Sequence, residues 1–129
     1  YFCFTMDFKF TKKDKLKSKK QIEHLFENGH SIMAHPLLLK YNETEFKDNV
    51  MTKTAVSVSK KKFNKAVDRI KIKRLIREVY RLNKPNYFNN LTTQYNLMIL
   101  YIGKEKPIYA NLNSSMKELL KKFNNKISK

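Results

Sequence analysis

The chain has 129 residues, 41% of them hydrophobic, which is enough for one compact domain with a core and too few for two of ordinary size. Its 28 Lys and Arg against 11 Asp and Glu give a net charge of +17, and aromatic residues are spread along its length, so the charge belongs to a folded surface that faces a polyanion and not to a low-complexity tail. A single cysteine, Cys3, excludes an internal disulfide or a cysteine-built zinc site, and the longest apolar run, Leu97 to Ile102, falls far short of the roughly 20 residues of a membrane helix.

Residues 1–8, which begin at Tyr1 with Met6 shortly after, read as a lead outside the fold, and residues 9–129 as one domain. Residues 9–20, KFTKKDKLKSKK, carry seven Lys against Asp14 without a helical apolar repeat, the pattern of an exposed basic arm. From Ser18, which can cap a helix, Ile22, Leu25 and Phe26 recur three and four apart before Asn28-Gly29, and this predicts a short helix over about 18–28. Residues 31–41 have extended character: Pro36 confines them to an edge or a bulge, and Leu37, Leu39 and Tyr41 share one face. NETEFKDN then predicts a loop joining a hairpin, with room for a short extra strand near 44–50. The second strand, MTKTAVSV at about 51–58, sets Val56 and Val58 on one side and the small Ala55 and Ser57 on the other, where something can approach closely.

A long helix is predicted over about 63–82, ended by Pro85. The Asn-rich residues 83–96 read as a loop, and Leu97 to Ile102, apolar on both faces and closed by Gly103, as a strand buried within a sheet. Leu112, Met116, Leu119, Leu120, Phe123 and Ile127 recur at helical spacing, with Asn113 or Ser114 as cap. The order is α-β-β-(β)-α-β-α.

Function concentrates in residues 60–84, which hold eleven cations against Asp68 and Glu78, a net +9. On a helix, Ile72, Leu75, Ile76, Val79 and Leu82 form one stripe, suited to burial against the sheet. Opposite lie Lys73, Arg74, Arg77 and Arg81, with Lys71 beside them and Arg69 on the flank. Guanidinium groups chelate phosphate oxygens in bidentate fashion, and a rise of about 1.5 Å per residue spreads Arg74, Arg77 and Arg81 along roughly 10 Å, the span of a few backbone phosphates. Solvated helix faces normally mix Glu with Lys, whereas here Glu78 alone interrupts. Lys60, Lys61, Lys62 and Lys65 add charge where the helix begins and backbone N–H groups already favour anions. Asp68 reads as a partner of the helix dipole rather than a metal ligand, and Ile70 projects among the arginines. His24, His30 and His35 pair with no evident nucleophile or metal-spaced carboxylates, so no catalytic residue and no metal site is assigned to the protein.

Arg69-Ile70-Lys71-Ile72-Lys73-Arg74-Leu75-Ile76-Arg77-Glu78 resembles the Arg-Asn-Arg-Ile-Lys-Arg-x-x-Arg-Glu signature of the protein subunit of bacterial ribonuclease P. Lys65-Ala66-Val67-Asp68 and Tyr80-Arg81-Leu82-Asn83-Lys84 around it resemble the Bacteroidetes branch, Leu16 to Ser31 is similar to the family's first helix with its closing Gly-x-Ser, and Leu97 to Ile102 to its last strand. Two departures stand at the heart of the signature: Ile70 replaces Asn, losing a hydrogen-bonding side chain, and Lys71 replaces Arg, losing bidentate geometry. The ridge is therefore expected to bind by its flanks more than by its middle.

The resemblance implies an α+β fold, a two-layer α/β sandwich of the ribosomal-protein-domain and elongation factor G domain IV type, with a mixed sheet and a left-handed β-α-β crossover. It implies one RNA-binding domain, monomeric in a cytoplasmic holoenzyme in which a catalytic RNA with Mg²⁺, held mainly by that RNA, cleaves the 5′ leader from precursor tRNA. The protein would bind the catalytic RNA through Lys60, Lys61, Lys62, Lys65, Arg69, Lys71, Lys73, Arg74, Arg77 and Arg81. It would hold the single-stranded leader in a cleft between sheet and first helix, where Ile22, Phe26, Tyr41, Lys53, Ala55 and Ser57 combine stacking surfaces, a small-residue floor and phosphate partners. A ribosome-associated or structural RNA-binding protein without a nuclease role is the alternative that composition alone supports. A helix-turn-helix DNA binder is disfavoured, since no helix directly precedes the basic one.

Overall fold

The computed structural model describes residues 19–45, 52–88 and 93–127. The lead, most of the basic arm, the Ser18 cap, most of the loop and extra strand expected near 44–50, and residues 89–92 lie outside these described residues. The elements run α1 (Lys19–Asn28), β1 (His30–Ala34), β2 (Leu37–Thr44), β3 (Thr52–Val58), α2 (Ala66–Tyr87), β4 (Gln94–Tyr101) and α3 (Tyr109–Ile127). One four-stranded sheet has the order β1-β2-β4-β3, antiparallel at β1/β2 and β2/β4 and parallel at β3/β4, so the protein is α+β with a mixed sheet.

Strand periodicity gives the sheet two unlike faces. Leu37, Leu39 and Tyr41 of β2, Tyr95, Leu97, Ile99 and Tyr101 of β4 and Val58 of β3 share the main core with Ile72, Ile76, Val79 and Tyr80 of α2 and Leu112, Met116, Leu119, Leu120 and Phe123 of α3. The alternate residues face α1, where Leu25 and Met98 form a smaller core flanked by Ile22, Ala55 and Leu100. β4 is therefore apolar on both sides because helices cover both. Phe123 centres an aromatic cluster, with ring centroids 5.0 Å from Tyr41, 5.3 Å from Tyr95 and 5.6 Å from Phe88, all edge-to-face. Thr54 of β3 donates to the Tyr80 hydroxyl of α2 at 2.9 Å inside this core.

Several sequence expectations are corrected. The stretch 31–41 is two strands, because the chain reverses at His35-Pro36 and Pro36, which cannot donate to a ladder, sits at the reversal. β2 and β3 do not form a hairpin: β4 stands between them, and Asn42 to Thr44, expected in a loop, pair with Asn96 to Gln94. α2 begins at Ala66, later than expected, because residues 60–62 form a turn closed by the Phe63 N–H on the Ser59 carbonyl at 3.1 Å, with Phe63 buried against Tyr101. It also passes through Pro85 to Tyr87. A proline in the last turn forfeits its own N–H bond, while the Phe88 N–H still reaches the Lys84 carbonyl and Asn124 of α3 donates to the Tyr87 carbonyl. α3 begins at Tyr109, so Asn113 is no cap; its side chain accepts from Asn83 of α2 at 2.7 Å. Leu82, expected in the buried stripe, is exposed, and Tyr80 and Asn83 are buried instead.

Phe123→Ala should destabilise the fold by about 3–5 kcal/mol, since it empties the centre of a fully buried ring cluster. Chemical denaturation with an unchanged m-value would measure the loss, and a change below about 1 kcal/mol would show that the cluster repacks.

Candidate nucleic-acid interface

α2 presents its cations because its other side is committed to the core. Ile72, Ile76, Val79 and Tyr80 are buried, which turns Lys71 and Arg74 outward and leaves Lys73 and Arg77 partly covered. Burial, and then the neighbouring Arg77, Arg69 and Lys60, hold the Lys73 ammonium below the ordinary lysine value. Those four charges therefore gather on the side of α2 near the end of β3, which Lys60 follows. The opposite flank is different: Asp68 pairs with Lys106 at 3.2 Å, and Lys71, Ile72, Leu75 and Pro107 line a shallow hollow with them.

The expected RNA-binding residues are not equivalent. Lys60, Lys61, Lys65, Lys71 and Arg74 are exposed. Lys62 donates to the Ile102 carbonyl at 2.7 Å and so braces the turn after β4. Arg69 donates to the carbonyls of Phe63 and Asn64 at 2.8 and 2.9 Å, fastening the turn before α2 in place of a side-chain cap, which Lys65 does not supply. Arg81 is a correction: it is buried and bonded to Glu78 one turn earlier, so it does not stand on the open face. Ile70 is half-exposed among the cations, as its position on the helix requires.

On the opposite face of the sheet α1 packs chiefly on β4 and β2. The cleft residues Lys53, Ala55 and Ser57 of β3 are partly buried on this face, and Ile22 and Ala55 each pack against the smaller core of Leu25 and Met98. Phe26 is 53% exposed and so is not a core residue; Leu25 is the ring's buried neighbour. Tyr41 is the second correction. It alternates with Leu37 and Leu39 onto the α2/α3 face, is 6% exposed, packs edge-on against Tyr95 and Phe123, and burial raises its phenol above the usual tyrosine value. Lys40, on the cleft side of β2 and not anticipated from sequence, holds its ammonium 4.6 Å from the centre of the Phe26 ring. The alternation that buries Tyr41 places Lys40 in the cleft, so the signal was present. Asn42 and Asn96, paired in register with Lys53 across the same face, each keep a buried side-chain oxygen without a partner.

Among the described residues no group of three or more His, Cys, Asp or Glu could hold a metal ion. His24, His30 and His35 are exposed, and none adjoins a nucleophile: His24 meets Asn28, the His30 ring lies against Tyr41, and the His35 carbonyl accepts from Ser115. No described helix is long and apolar enough to cross a membrane.

A phosphate near Lys73 would favour its charged form, so its pKa should rise on binding RNA, with proton uptake and with affinity lost as pH climbs above the free-state value. Side-chain NMR titration of Lys73 with and without RNA tests this, and an unchanged value would take Lys73 out of the interface.

The family model described as Ribonuclease P matches residues 10–124. The ribonuclease P protein component of Clostridium botulinum is 32% identical over 112 residues, covering 86% of this chain and 95% of that protein. That of Porphyromonas gingivalis is 28% identical over 117 residues, covering 88% and 85%. Among solved structures, the Staphylococcus aureus RNase P protein superposes with a TM-score of 0.68 at 22% identity over 85% of this chain and 94% of that one, and the Thermotoga maritima protein with 0.67 at 19% over 84% and 96%. These two likenesses show a shared fold.

Proposed function

The chain belongs to the ribonuclease P protein family, and from that membership we propose how its surface divides between two RNAs. As a family member it is the accessory, RNA-binding subunit of an endoribonuclease that matures the 5′ end of tRNA, and its partner is the ribonuclease P RNA. In our reading the cationic side of α2 binds that RNA, and the α1–β3 groove on the other face of the sheet receives the single-stranded 5′ leader of the precursor. The observation that carries the first assignment is that burial of Ile72, Ile76, Val79 and Tyr80 leaves Lys71, Lys73, Arg74 and Arg77 together on the other side of α2, where clustered cations are relieved by a run of phosphates. Arg74, Lys71 and Lys65 extend the contact outward, Lys60 and Lys61 continue it past β3, and Lys62 and Arg69 act chiefly by fixing the turn that aims the rest.

The groove suits a single strand rather than a duplex. Ala55 and Ser57 would let a backbone approach β3, Phe26 offers an exposed ring at the end of α1 beside Lys40 of β2, and Lys53 of β3 would meet a phosphate. Ile22 lends the wall apolar surface. Hydrolysis then belongs to the RNA and to Mg²⁺ held mainly by RNA phosphates, hard oxygen ligands that such an ion prefers. The protein's contribution is to lower the repulsion between two polyanions and to raise affinity for substrate that still carries its leader. Residues 9–129 act as one RNA-binding domain, monomeric in a cytoplasmic holoenzyme.

Reconstitution with the cognate catalytic RNA should stimulate precursor cleavage at low Mg²⁺; no stimulation would favour a generic RNA binder instead. Changing Arg74 and Arg77 to Ala should weaken binding to the catalytic RNA and lower the slope of log affinity against log salt by roughly 0.7–0.9 for each phosphate no longer neutralised. Equal affinity and slope in the double variant would remove this face from the interface. Phe26→Ala should reduce the preference for precursor over mature tRNA while catalytic-RNA binding holds.

A further inference from the structure

The last turn of a helix leaves carbonyl groups without intrahelical donors, and a cation placed there is favoured by the helix dipole as well. In α1 that cation comes from the sheet. Lys40 of β2 donates from Nζ to the Phe26 carbonyl at 2.6 Å, fourteen residues back along the chain, and the same ammonium lies 4.6 Å from the centre of the Phe26 ring. Its strand neighbour in register, Met98, is buried against Leu25, so the Lys40 stem rises from the row on which α1 is seated. One side chain thus ties the end of α1 to β2 and covers one face of the ring, while Phe26 remains half-exposed.

We infer that Lys40 is the positioning residue of the groove's stacking ring: it fixes Phe26 with one face open, so that a single nucleobase stacks there, and offers its remaining N–H groups to that nucleotide's phosphate. The inference rests on the leader reading of the groove. The chemistry is additive for a nucleotide. A cation on one face of a ring does not compete with a base on the other, and an ammonium with three donors has bonds to spare after serving one carbonyl. The same placement selects against a second base, because the face that a sandwich would need is taken by the ammonium. Pinning the ring also removes rotamers that an unheld phenylalanine would lose only on binding.

The test compares holoenzymes carrying Lys40→Met, Lys40→Arg, Phe26→Ala and the Lys40→Met/Phe26→Ala pair, each reconstituted with the catalytic RNA, for affinity toward precursor and mature tRNA. Lys40→Met should lower the precursor-to-mature ratio roughly three- to tenfold, the scale of removing one cation–ring interaction and one phosphate partner. Lys40→Arg should restore most of the ratio, and Lys40→Met should add little on top of Phe26→Ala. Because each ratio is taken within one variant, a general loss of folded protein cancels, and thermal melting of the free proteins identifies it separately. A normal ratio in Lys40→Met with a lowered one in Phe26→Ala would overturn the inference and leave the leader reading standing. Normal ratios in both would remove the leader reading and the inference together. Full additivity in the pair would show that Lys40 acts independently of the ring, which also overturns it.

Discussion

The cationic side of α2 exists only because the opposite side of the same helix is anchored. Like charges three and four residues apart on a helix each cost a few tenths of a kcal/mol, whereas burying an aliphatic or aromatic side chain gives about 1.5–3 kcal/mol. Ile72, Ile76, Val79 and Tyr80, all buried against the sheet and α3, therefore outweigh the repulsion among Arg69, Lys73 and Arg77. The helix needs no RNA to hold its shape. The charged surface is one whose cost folding has already met, with the flanking turn set by Arg69 and Lys62 on backbone carbonyls.

β3 connects this surface to the groove. It is an edge strand in parallel register with β4, and its alternate side chains belong to different layers. Thr54 bonds Tyr80 of α2 on one face, while Lys53, Ala55 and Ser57 lie on the other, the face that carries α1. Lys60 follows two residues after its end, among the charges that crowd Lys73. The two surfaces proposed for the catalytic RNA and the substrate leader would thus be built on one strand. The Thr54–Tyr80 bond fixes the sliding of β3 against α2, and with it the spacing between them.

Local patterns in the sequence revealed each helix, the small-residue face of β3 and the buried character of β4. They failed where pairing is decided far along the chain. Nothing local in residues 37–44 or 52–58 says that β4 will enter between them, so a hairpin was the natural expectation. Pro36 was recognised as incompatible with a central ladder, but its resolution as a reversal depended on β2 finding β4. Tyr41 shows a different error. Its shared face with Leu37 and Leu39 places it in the core, where alternation outweighs the suitability of a tyrosine for stacking. Lys40 is the complementary case: alternation sends it to the face opposite Tyr41, while its partner there, the end of α1, belongs to tertiary packing. Arg81 occupies a helical position that periodicity alone sends outward, and its burial with Glu78 belongs to tertiary packing that no repeat reveals.

Both departures from the family signature lie on the exposed side of α2. Ile70 and Lys71 both point outward from α2, and Lys71 borders the Asp68–Lys106 pair, where an acid already balances the local charge. The crowded row is the other one, Arg69, Lys73 and Arg77 beside Lys60, and neither departure falls in it. An isoleucine at this half-exposed position removes a hydrogen-bonding side chain without burying a charge or opening the core, so it leaves the helix intact. In the proposed interface the flank nearest β3 therefore keeps its charges unaltered by either departure.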